Sequence, residues 1–88
     1  MFLHIGADYV VPMNEVILII DAALVNTSPA TRNFIERIKS EKKIIDLTDQ
    51  SPKSYVISQK EIILSPISSS TLQRRGAVMK EIAKHNVY

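Results

Sequence analysis

Cysteine is absent from this chain of 88 residues. That excludes a disulfide framework, a thiolate metal site and a cysteine nucleophile. Glycine occurs only twice, as Gly6 and Gly76, so neither a glycine-rich phosphate loop nor a dinucleotide fingerprint is present. Histidine also occurs twice, as His4 and His85. They lack the spacing of metal ligands on one helix face, and core or surface histidine is the better reading. The longest apolar run, Val16 to Ile20, is far short of the roughly 20 residues that a membrane-spanning helix needs. No N-terminal stretch joins a basic flank to a long apolar segment and a small-residue cleavage site. A soluble, cytoplasmic protein is expected, with no cofactor and no membrane partner.

Positive charge is missing from one part of the chain. Residues 1–30 hold Asp8, Glu15 and Asp21 and no Lys or Arg, a charge of −3. Residues 31–88 hold all 11 basic residues against the remaining 6 of the 9 acids, a charge of +5, for a total of +2. So small a total names no nucleic-acid partner. It does require that any basic face come from the later part of the chain.

What is present is ordinary for a folded domain: 45% hydrophobic and 23% charged residues, outside the disordered regime. One domain over residues 1–88 is expected. A chain this short buries only about 60–65% of its unfolded surface, so oligomerisation would add stability.

The pattern predicts a short strand from Phe2 to Ile5, broken at Gly6-Ala7-Asp8 and resumed at Tyr9-Val10-Val11. Glu15 to Asp21 is the clearest strand, and its lack of alternation predicts burial on both faces. Ser28-Pro29 reads as the start of a helix with the apolar stripe Ala30, Phe34, Ile35 and Ile38. Ile44 to Thr48 reads as a strand. Tyr55 to Ile57 and Glu61 to Leu64 read as a hairpin joined by Ser58-Gln59-Lys60. A last helix is predicted from about Ser70 to Lys84, with Leu72, Val78, Met79, Ile82 and Ala83 on its apolar side. The fold class is α+β: a small, mostly antiparallel β-sheet with two helices, in the order β-β-α-β-β-β-α. Two helices on one sheet face would leave the Val16–Ile20 strand half uncovered. A second copy of the chain is the simplest cover, so a homo-oligomer is expected.

Few residues suggest chemistry. Ser65, Ser68, Ser69 and Ser70 cluster, but they stand where caps and turn serines belong, without a nucleophile elbow. Asp21 and Asp46 each end an apolar run; they could share acid–base work only if they met in a cleft. Arg74 and Arg75 are the foremost candidates, because arginine early in a helix works against the dipole and local stability does not favour it. Spacing alone leaves anion binding and an inter-subunit salt bridge to Asp8, Glu15 or Asp21 equally weighted. Lys53, at a turn tip, could reach a phosphate. Arg32 and Arg37, five apart on the first helix, are secondary candidates. No triad, metal set or cofactor loop points to an enzyme.

These residues also carry a resemblance. Phe2-Leu3-His4-Ile5-Gly6, Ala30-Thr31-Arg32-Asn33-Phe34, Pro52-Lys53-Ser54-Tyr55-Val56 and the run from Leu64 through Pro66 and Ser70 to Arg75 resemble the RemA/RemB family of bacterial extracellular-matrix gene regulators, specifically its RemB type. The resemblance implies a cytoplasmic protein in transcriptional control of biofilm matrix genes. The RemA branch is associated with direct DNA binding as a ring-shaped homo-oligomer. This chain has Glu15 after Asn14 where RemA-type members carry arginine, and Ser51-Pro52-Lys53 where they carry paired arginines. Of that phosphate-binding set, Lys53, Arg74 and Arg75 remain. Two readings follow. One is an oligomeric regulator that contacts double-stranded DNA through Lys53, Arg74 and Arg75, with Arg32 and Arg37 in support. The other is an accessory module that assembles with a related regulator and does not itself bind DNA.

Overall fold

A computed structural model describes residues 1–76 of the chain. The predicted Val78, Met79, Ile82 and Ala83 stripe, with Lys80 and His85, lies outside the described residues.

The chain opens with the antiparallel hairpin β1 (Phe2–Gly6) and β2 (Tyr9–Pro12), followed by a 3-10 turn at Met13–Glu15. Then come β3 (Val16–Asp21), α1 (Ala23–Thr27), α2 (Pro29–Glu41), β4 (Lys43–Asp46), β5 (Ser54–Ser58) and β6 (Glu61–Ser65). A further helix, α3, begins at residue 69 and is described to residue 76. The second sheet has the order β3-β5-β6-β4. Its β3–β5 and β5–β6 pairs are antiparallel and β4–β6 is parallel. The α+β class, its element order and the mostly antiparallel sheet are as the sequence predicts; the one-turn α1 is an addition.

Local chemistry explains the boundaries. Ser28 Oγ accepts from Thr31 N at 3.2 Å, and Pro29 occupies the first position of α2. Both features favour a helix start. Ile35 and Ile38 of α2 are buried and Phe34 is half-buried, whereas Ala30 is exposed. The β5–β6 hairpin turns at Gln59-Lys60, where Ser58 Oγ accepts from Glu61 N at 3.0 Å. Lys42 Nζ donates to the carbonyls of Ser58 at 2.9 Å and Gln59 at 2.7 Å, tying the end of α2 to that turn.

Three layers result. Tyr55, Ile57, Ile62 and Leu64 pack with Ile35 and Ile38 on one side of the central strands. Val56 and Ile63 pack on the other side with Leu3, Ile5 and Val11 of the hairpin and Leu72 of α3. The expectation that both helices share one face is therefore corrected. The hairpin and α3 cover the second face, and α1 and α2 the first. Cover falls over β5 and β6, whose residues are nearly all buried. β3 is an edge strand instead of a doubly buried one, because the strand order places it outside β5. Its Ile17 and Leu18 are exposed.

One corner docks the hairpin onto the sheet. Gly6 has φ +143°, and a Cβ there would lie 2.7 Å from Cδ of Pro66. The buried hydroxyl of Ser65 donates to the carbonyl of Ile5 and accepts from Ile67 N. The equally buried Ser54 hydroxyl donates to the carbonyl of Ile67 at 2.8 Å. A Ser65→Ala variant would leave the Ile5 carbonyl and the Ile67 amide without their partner. A loss of about 1–3 kcal/mol is expected in urea unfolding, the usual cost of stranded buried polar groups.

Tyr9 is a second tie. Its hydroxyl donates to Glu61 Oε1 at 2.7 Å, bridging β2 to β6. Burial, then the bond to and charge of Glu61, push the Tyr9 hydroxyl up to about 12 from 10.0. The neutral form is thus favoured in the folded state. Its contribution is complete below pH 10.0 and is lost as pH rises through about 12. Relative to Tyr9→Phe, the wild type should show added stability at pH 9 that fades by pH 12 in pH-dependent unfolding.

Candidate functional site

The topology gathers the informative residues at one end of the sheet. The Asp21↔Ser54 and Ser54↔Ser65 pairings bring the end of β3, the start of β5 and the end of β6 together. Parallel pairing with β6 puts Asp46, the end of β4, beside them. Lys53 leads into β5 at this end. Its N–H donates to the Ser65 carbonyl at 2.9 Å and its carbonyl accepts from Ala22 N at 3.1 Å. The backbone of Lys53 is therefore held from both sides while its side chain is exposed.

Beyond Lys53 lies an open cleft of about 480 Å³, lined by Asp21, Ala22, Ala23, Asn26, Pro52, Lys53, Ser68, Ser69 and Ser70. Ser68 is the N-cap of α3: its hydroxyl accepts from Thr71 N at 3.2 Å and donates to Thr71 Oγ1 at 2.9 Å. So Lys53 and the start of a helix share one cleft, an arrangement that suits an anion. Asp21 also lines this cleft, and its Oδ1 accepts from Ala23 N at 2.9 Å at the start of α1.

Arg74 and Arg75 stand in the second turn of α3, past the first turn where a cation opposes the dipole most. The local cost inferred for them from sequence is correspondingly small. Arg74 is exposed and lies one turn after Ser70 on the same face of the helix. Its Nη2 donates to Thr71 Oγ1 at 3.4 Å. Arg75 is exposed too, and its Nη1 donates to the His4 carbonyl at 3.1 Å, pinning α3 to β1. A guanidinium has five N–H donors, so most remain available. Among the described residues the one ion pair is Lys39–Glu36.

The sheet separates the remaining candidates. α2 packs on the opposite face from α3, so Arg32 and Arg37 do not join Arg74 and Arg75 in a single chain. Arg32 Nε donates to the Val25 carbonyl at 3.1 Å, closing the end of α1. The guanidinium of Arg37 sits 5.8 Å from the centre of the Phe34 ring. Glu15 lies at the far end of the sheet from Lys53, where its carbonyl accepts from Gln59 N.

Asp21 and Asp46 do not act as a carboxylate pair. Each holds its own turn. Asp46 accepts from Thr48 N, Thr48 Oγ1 and Gln50 N. The Thr48 bonds, side chain first, hold its carboxyl below its ordinary value. Sequence reasoning missed Ser54 and Ser65 as positioning residues. Ser65 carried one signal, a serine at the end of an apolar strand beside Pro66; Ser54, at the start of β5, carried none. No group of three or more potential metal ligands occurs among the described residues, and no helix there is long and apolar enough to cross a membrane.

A small α+β domain with a cationic corner instead of a cofactor loop matches one family model. The match, described as extracellular matrix regulatory protein A-like, spans residues 2–75, so the chain belongs to the RemA-like family. It is a RemB-type member: it is 37% identical over 82 residues to extracellular matrix regulatory protein B of Bacillus subtilis (strain 168), covering 93% of this chain and 98% of that protein. The family match takes in Arg32, Arg37, Lys53, Arg74 and Arg75.

Proposed function

We propose that this protein is a non-enzymatic regulator of extracellular-matrix (biofilm) genes that assembles with copies of itself and binds double-stranded DNA in the cytoplasm. One observation carries the reading. Lys53 shares a cleft with the serine-capped start of α3, and Arg74 follows one turn later on the same helix face. Lys53, Arg74 and Arg75 are the primary phosphate contacts; Arg32 and Arg37, across the sheet, are secondary. Such contacts position the duplex without reading its sequence, so shape and deformability of the DNA would set preference. Assembly matters because weak contacts repeated on several copies add up.

Fluorescence anisotropy with an A·T-rich duplex across a salt series tests this reading. The expected result is a logarithm of affinity that falls linearly with log salt, by about 0.9 for each phosphate neutralised. Absence of binding at low salt would leave the accessory-module reading. That alternative is favoured by a separate observation, the exposed apolar edge strand β3, which offers a surface for another regulator.

A further inference from the structure

The four-stranded sheet has two outer strands, β3 on one side and β4 on the other. An exposed edge is a template for another strand, and folded proteins usually blunt it with lysine, proline or a charged residue. β3 has none of these between Val16 and Ile20. Its Ile17 is 60% exposed and its Leu18 41% exposed. One irregularity, between Val16 and Leu18, is confined to its start. β4 carries the charged residues Lys43 and Asp46 at its two ends but leaves Ile44 between them 49% exposed.

Direction and charge decide what can pair with what. β3 is antiparallel to β5, β5 to β6, and β6 is parallel to β4. β3 and β4 therefore run the same way. If one sheet continues into the next, a β3 edge meets a β4 edge as a parallel pair. Glu15 immediately precedes β3, and Lys42 and Lys43 stand at the start of β4. Start-to-start alignment brings Glu15 to Lys42 and Lys43; at the other end Asp46 falls beside Ile19 and Asp21 beside Thr48, so the two acids are offset instead of directly opposed. Two β3 strands around a two-fold axis would be antiparallel and would set Glu15 toward Asp21, acid against acid, a destabilising juxtaposition. Two β4 strands would pair without covering β3, the more exposed apolar edge.

We propose that β3 of one copy pairs in parallel with β4 of the next, extending the four-stranded sheet from copy to copy. This rests on the self-assembly proposed above and names its surface. The interface is heterologous: each copy uses two different edges, so assembly does not stop at a two-fold dimer.

Sedimentation velocity on Ile17→Lys and Ile44→Lys tests the pairing, with far-UV circular dichroism to verify folding. The wild type should sediment as a multimer and each variant alone as a monomer. An equimolar mixture should give a 1:1 dimer, because each variant keeps the edge that the other lacks. Leu18→Lys and Lys43→Glu serve in place of a variant that loses its fold. The pairing is overturned by either variant assembling like wild type, by Ile44→Lys remaining a dimer alone, or by a mixture that stays monomeric. A monomeric wild type would instead overturn self-assembly itself, and the anisotropy experiment remains a separate test of DNA binding.

Discussion

A Gly6→Ala variant is expected to lose about 3 kcal/mol of stability, read from urea or thermal unfolding. Two costs act together. The backbone at φ +143° is one that a side chain rarely adopts, and strain of this kind costs roughly 1–3 kcal/mol. The added methyl would also lie 2.7 Å and 2.9 Å from Cδ and Cγ of Pro66. A proline ring cannot rotate away, so the hairpin or the corner must shift, and overpacking of this sort costs roughly 1–3 kcal/mol. For a small domain with about 5–10 kcal/mol in total, that is a large fraction. Pro66 leads into α3, so displacement would also misplace Ser68 and Arg74. Stability within about 0.5 kcal/mol of wild type would mean that the hairpin does not dock against Pro66 as described.

The double variant Arg74→Ala with Arg75→Ala is expected to bind every DNA sequence more weakly, by tenfold or more at moderate salt, on the order of 1.4 kcal/mol. Its salt slope should be shallower by about 0.9 for each phosphate that is no longer neutralised. A uniform loss is the signature of phosphate binding, whereas base readout would change sequence preference. Arg75 also donates to the His4 carbonyl, so circular dichroism must accompany the measurement. Arg37→Ala should weaken binding less, since Arg37 lies across the sheet against Phe34. If the folded double variant binds like wild type, the arginines are removed from the interface. If its assembled mass falls instead, they join subunits, the role that spacing alone left open.

Much of the fold was legible because its signals are local. Ser28-Pro29 marks the start of α2 through the hydroxyl and the missing N–H of those two residues. The β5–β6 hairpin is legible because two apolar runs flank a short polar turn. The burial of β3 was not. Lack of alternation marks a strand as apolar without saying whether cover comes from its own chain, and strand order depends on pairings between distant segments. The same limit applied to the site. Arg74 and Arg75 were visible as a pair, but the bond from Arg75 to His4 joins residues 71 apart.

Sequence alone determined the class of elements, the absence of cysteine and glycine-rich chemistry, and the placement of all positive charge after residue 30. Those properties follow from composition and from periodicities a few residues long. Tertiary structure decided that α2 and α3 lie on opposite faces and that, among the described residues, β3 and β4 are the outer strands of the four-stranded sheet. It also decided that Lys53 meets the start of α3 in one cleft that neither Arg32 nor Arg37 lines. These outcomes turn on which distant apolar faces bury each other. That choice is made by packing among the elements together and is carried by no single segment.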